Sequence, residues 1–159
     1  MRLAKILKLI SECQLGIHDI SRTELERRTQ LPRFNMPLEL GMFLGAKEFG
    51  DEQQRSKISL VLDRSQHRYE KFCSDIKGCD ISAHRRDPAL AISAVRDFLR
   101  NAQPRVTIPG GKLIHRRYRK FLKTLPISCK QLGVRPRDLI FNDYTTLVER
   151  WLQQEAVAS

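Results

Sequence analysis

Lys57-Ile58-Ser59-Leu60-Val61-Leu62-Asp63 is the stretch on which the fold turns. Its apolar run is nearly continuous, the pattern of a strand buried on both faces at the centre of a parallel sheet. Upstream, Gly16-Ile17-His18-Asp19-Ile20-Ser21 reads as a second, shorter strand that ends in polar residues. Between the two lie a polar, Arg-rich loop (22–34) and a helix. The helix starts near Asn35 as N-cap, tolerates Pro37 in its first turn, and stops at Gly50. Before the first strand, Leu3, Ile6, Leu7 and Ile10 recur at helical spacing with Lys5, Lys8 and Glu12 among them, which predicts an amphipathic helix over 2–13.

Downstream the same alternation continues: helix over 67–77, strand over 80–84, and a helix over 88–102 begun by Asp87-Pro88. Alternating helices and strands imply an α/β layered fold with a small parallel sheet. After the turn-prone Pro109-Gly110-Gly111, helices are expected over 112–124, 128–133 and 142–154. The chain thus divides into an α/β domain, 1–103, and a basic helical C-terminal extension, 104–159, packed on it. A doubly wound domain usually opens on a strand, whereas this sequence opens on a helix. Either its first strand is missing or the sheet has only about three strands.

The chain is 159 residues long, 41% hydrophobic and 30% charged, which suits a soluble globular protein and not a disordered one. No run approaches the ~20 apolar residues of a membrane span, and Met1-Arg2-Leu3-Ala4-Lys5 does not open a secretory signal. A cytoplasmic protein with no membrane partner is expected. The net charge of +11 is uneven: residues 1–53 balance, 54–103 carry +4 and 104–159 carry +7. The basic third suits nucleic acid or another anionic partner, and suits a solvated surface equally well. Cys13, Cys73, Cys79 and Cys129 form no C-x-x-C pair, and the four histidines no H-x-x-x-H, so neither a metal nor another prosthetic group is expected. Without a signal peptide, the cysteines read as reduced, buried thiols.

In open parallel sheets, ligands bind beyond the carboxyl ends of the strands. Asp19, Ser21 and Arg22 follow the first strand, Arg33, Asn35 and Glu39 surround the next helix start, and Asp63 ends the central strand. Asp19 suits ribose hydroxyls, Ser21 a phosphate, and Arg22 phosphate oxygens; the same residues also suit a hydrogen-bonded turn. Glu39 falls between Met36 and Phe43 on the helical wheel, on the apolar face and within the first turns. A carboxylate so placed can act as a nucleophile or stabilise an oxocarbenium-like glycosyl cation. It can also simply complement the helix dipole, although a capping box fails because the third helical position is Leu38. His18, inside a strand, reads as a satisfied core histidine.

Gly16-Ile17-His18-Asp19-Ile20-Ser21-Arg22, taken with Pro32-Arg33-Phe34-Asn35-Met36-Pro37-Leu38-Glu39-Leu40-Gly41, resembles a family of small bacterial proteins. Their layout is similar to Toll/interleukin-1 receptor (TIR)-like domains and nucleoside 2-deoxyribosyltransferases. The resemblance spans roughly residues 1–100. It implies a flavodoxin-like three-layer domain and a nucleotide ligand, with NAD or another nucleotide as substrate and its N-glycosidic bond cleaved. Glu39 matches the catalytic glutamate of those enzymes, and Asp19 and Ser21 match their strand-end ligand contacts. A non-catalytic TIR-like module that self-associates is the alternative. A third reading is nucleic-acid binding by Lys112, Arg116, Arg117, Arg119, Lys120 and Lys123, whose plainer account is an amphipathic helix.

Overall fold

The apolar run becomes the middle strand of a three-stranded parallel sheet in the computed structural model, which describes residues 1–157. In chain order the elements are α1 (Arg2–Glu12), β1 (Leu15–Asp19), α2 (Asn35–Phe49), the one-turn α3 (Glu52–Arg55), β2 (Ile58–Asp63) and β3 (Ile81–Ala83). There follow α4 (Pro88–Ala102), α5 (Gly111–Gln131) and α6 (Phe141–Val157). They form two units, divided between Ile108 and Pro109.

In the first unit the strand order is β1-β2-β3. Ile17 pairs with Leu60 on one side of β2, and Val61 with Ile81 on the other. Leu60, Val61, Leu62 and Asp63 are all buried, as a strand enclosed on both faces requires. Ile20, Leu40, Val61, Tyr69 and Ile76 form the core, with Met36, Leu44 and Phe72 packed against it. Lys57, which the sequence assigns to the strand, lies just before it and is buried. Its ammonium donates to the carbonyls of Ile10 (2.6 Å) and Cys13 (2.5 Å) at the end of α1, 5.1 Å from the Phe43 ring centroid. A buried cation is thus spent on the unpaired carbonyls of a helix terminus.

Three helix assignments need correction. Residues 67–77 are not a helix but two 3₁₀ turns, Arg68–Lys71 and Ser74–Ile76. Tyr69, Phe72, Cys73 and Ile76 do recur at helical spacing, yet His67 is left-handed (φ 60°) and Cys73 is non-helical (φ −153°, ψ 57°). Residues 112–131 are one helix, not two, and continue through Pro126. Phe121, Leu125 and Cys129 share one buried face on both sides of the proline, and that packing offsets the ~3 kcal/mol a helical proline costs. The α2 N-cap is Phe34, with Asn35 inside the helix and no side-chain cap.

α4 does begin as expected: Asp87 Oδ1 accepts from the Ala89 N–H (2.8 Å), and Pro88 follows in the first turn. α5 ends in a Schellman motif, in which Gly133 (φ 68°) donates to Lys130 O and Val134 to Cys129 O. The second unit has its own core, made of Phe121, Leu125, Cys129, Leu147 and Trp151. All four cysteines are free, but of these expected buried thiols only Cys129 is buried; Cys73 and Cys79 are half-buried and Cys13 is exposed. Among the described residues no helix is long and apolar enough to cross a membrane.

His18 is a core residue but not a satisfied one. It is buried edge-on against Phe43 (centroids 5.2 Å apart), and neither ring nitrogen has a hydrogen-bond partner among the described residues. Gly16 makes room for it, because a Cβ there would lie 2.7 Å from His18 Nε2 and 2.9 Å from the Phe43 ring. Burial pushes the imidazole below its ordinary value of 6.5. The unfolded chain therefore takes up a proton near that value before the folded chain does. Stability is expected to fall as the pH drops below about 6.5, down to the folded-state pKa. Urea midpoints at pH 7.5 and 5.5 should differ less for His18→Leu than for the parent; an identical difference in both would remove His18 from this account.

Candidate functional site

The C-terminal ends of β1 and β3, with the first turn of α4, border a cavity of about 720 Å³. Asp19, Ser21, Arg22 and Arg33, all expected at the site, line it together. So do Glu24, Glu26, His84, Arg86 and Asp87, which the sequence reading missed. A volume of this order is typical of small-molecule sites.

Each wall has a local cause. Asp19 Oδ1 accepts from the Ser21 N–H (3.0 Å), the Asx turn the sequence offered as the plain alternative. Half of the Asp19 side chain remains exposed, so a turn and a ligand contact are compatible at this residue. Arg33 pairs with Glu26 (2.6 Å), while Glu24 pairs with Arg64 and lies 3.5 Å from Arg86. Arg22 is exposed and has no acidic partner among the described residues. It is the lining cation most open to an incoming anion.

The β3 end is more tightly built. Arg85 and Arg86 are both left-handed (φ 51° and 60°), and the Asp87 N–H donates to His84 O (2.7 Å), the pattern of a type I′ turn. Neither is glycine, so the turn stores strain of ~1–2 kcal/mol at each residue. The turn also aims the Arg86 N–H at His84 Nδ1 (3.1 Å). With Nδ1 accepting, the neutral ring carries its proton on Nε2, which lies 3.5 Å from Asp19 Oδ1. His84 is buried, so an imidazole and a carboxylate face one another across the end of β2.

The remaining three expected residues lie elsewhere. Asp63 is fully buried, and its Oδ1 accepts from the Arg64 N–H (2.6 Å) and Arg68 Nε (2.8 Å). Arg68 also donates to Thr23 Oγ1 (2.9 Å) and Ile20 O (2.8 Å), which ties the loop after β1 to the end of β2. Asp63 therefore braces the loop after β1, through Arg68, and is not among the residues that line the cleft. Asn35 and Glu39 line a separate cavity of about 350 Å³ with Arg2, Leu3, Ile6, Leu38 and Met42. The buried side of α2 is set by Leu40 and Phe43, and Glu39 is turned off that seam toward α1. The strand-end rule, applied to the end of β3 as it was to β1 and β2, points straight to His84 and Arg86.

Comparison of the chain with protein-family models, curated proteins and solved structures finds no match.

Proposed function

We propose that the α/β unit is a flavodoxin-like three-layer domain of the TIR-like or deoxyribosyltransferase-like kind, and that it binds a nucleotide in the cleft between β1 and β3. The observation that carries this reading is the convergence of Asp19, Ser21, Arg22 and Arg33 on one cavity at the carboxyl edge of a parallel sheet. Arg22 supplies an uncompensated cation for a phosphate, and Ser21 a hydroxyl donor beside it. The free oxygen of Asp19 accepts from ribose hydroxyls. The neighbouring His84 gives the cleft a group able to exchange a proton with a bound ligand.

The glycosidic chemistry matched to Glu39 has less support, because Glu39 lines a different cavity from the other ligand residues. Nucleotide binding and Glu39 are therefore separable. Calorimetric titration with a panel of nucleoside phosphates and NAD is expected to find a binder. Arg22→Ala should weaken it by about 10- to 100-fold, the worth of one charge-assisted contact. Glu39→Gln should leave the affinity unchanged. Absence of binding across the panel, or an Arg22→Ala variant that binds like the parent, would sink the reading.

A further inference from the structure

The two sides of α5 are chemically distinct. Phe121, Leu125 and Cys129 are buried against Leu147 and Trp151. Lys112, Arg116, Arg119 and Lys123 are all exposed and recur at i, i+4, i+7 and i+11, which places them on one stripe. By helical periodicity that stripe lies opposite the buried seam. None of the four has an acidic partner among the described residues. The adjacent Lys120 differs, since its ammonium donates to both carboxylate oxygens of Glu155 (2.7 and 2.9 Å).

We propose that this stripe binds the phosphate backbone of double-stranded nucleic acid. The proposal is independent of the nucleotide cleft, which lies in the other unit. At a rise of 1.5 Å per residue the four cations span about 16 Å, in steps of about 4.5–6 Å. A duplex carries a charge roughly every 1.7 Å of axis, about ten over that span, so four unpaired cations in a row meet a surface of complementary charge. A bilayer surface fits less well, because a helix lying in a membrane interface needs its apolar face free, and here that face is used by the core. Phe121 is buried and Tyr118 is half-buried on the core side, so no aromatic ring stands on the stripe to stack on bases. Binding through phosphates alone carries no sequence preference.

The test is fluorescence anisotropy of the full chain with a labelled 20-base-pair DNA duplex between 50 and 200 mM KCl. Four phosphate contacts give a log–log salt slope of about −3.6, so affinity should fall about 150-fold across that range. Arg116→Gln/Arg119→Gln should halve the slope, and the quadruple glutamine variant should bind at least about 100-fold more weakly at 50 mM. Circular dichroism of each variant verifies that the helices persist, and the double variant keeps the test decisive if the quadruple one does not fold. Two scrambled duplexes should bind alike. No binding at 50 mM, an unchanged slope in the double variant, or binding to phosphatidylserine vesicles with none to the duplex would each overturn the proposal.

Discussion

Arg68→Ala is expected to destabilise the α/β unit by about 3–5 kcal/mol, the usual cost of removing one partner from a buried ion pair. Asp63 is fully buried and the Arg68 side chain is 11% exposed, so water cannot replace the lost guanidinium. The variant strands Asp63 without its cation and also releases Thr23 Oγ1 and Ile20 O. Arg68→Lys should recover only part of the loss, because an ammonium is a point charge and cannot reach three differently placed acceptors as a planar fork does. The double variant Asp63→Leu/Arg68→Met should be much closer to the parent than Arg68→Ala, since it leaves no orphaned charge. Urea unfolding followed by far-ultraviolet circular dichroism measures all three. A loss below about 1 kcal/mol for Arg68→Ala would show that the pair is not what holds the loop after β1.

The Asp63–Arg68 pair also marks where sequence reasoning stops. β2 was legible because burial on both faces leaves its trace in consecutive residues, Leu60 to Leu62, and needs no knowledge of the partner strands. α4 was legible because Asp87-Pro88 is a local start signal. The 67–77 segment has the apolar spacing of a helix, but its conformation is set by the long-range anchoring of Arg68 to Ile20 and Thr23, which periodicity cannot register. Glu39 was expected beside the strand-end residues and lines another cavity, for a related reason. A helical wheel shows which residues share a face, but not whether that face meets the sheet edge or α1. Asp19, Ser21, Arg22 and Arg33 came together because the strand-end rule is topological and β1 was correctly placed. His84 needed only that rule at β3, whose three residues are a faint strand by sequence.

The second unit should be the more fragile, and Phe121→Ala the change that exposes it. Phe121 is 4% exposed and meets both Tyr144 and Trp151 edge-on, with ring centroids 5.7 Å apart in each case. Truncating a buried phenylalanine costs about 3–5 kcal/mol through lost transfer energy and the cavity left behind. A unit of about 50 residues has a total stability of only ~2.5–7.5 kcal/mol at typical values per residue. Most or all of its margin therefore rests on one ring. Trp151 is the only tryptophan in the chain and belongs to the same core, so its fluorescence reports on this unit alone. Phe121→Ala is expected to red-shift the emission and open Trp151 to iodide quenching at 25 °C. Phe121→Leu, which keeps most of the volume, should cost about 1.5 kcal/mol or less and leave the emission near that of the parent. If Trp151 in Phe121→Ala stays as shielded as in the parent, the Phe121–Trp151 contact does not carry the core, and the unit's stability rests on the remaining apolar seam of Leu125, Cys129 and Leu147.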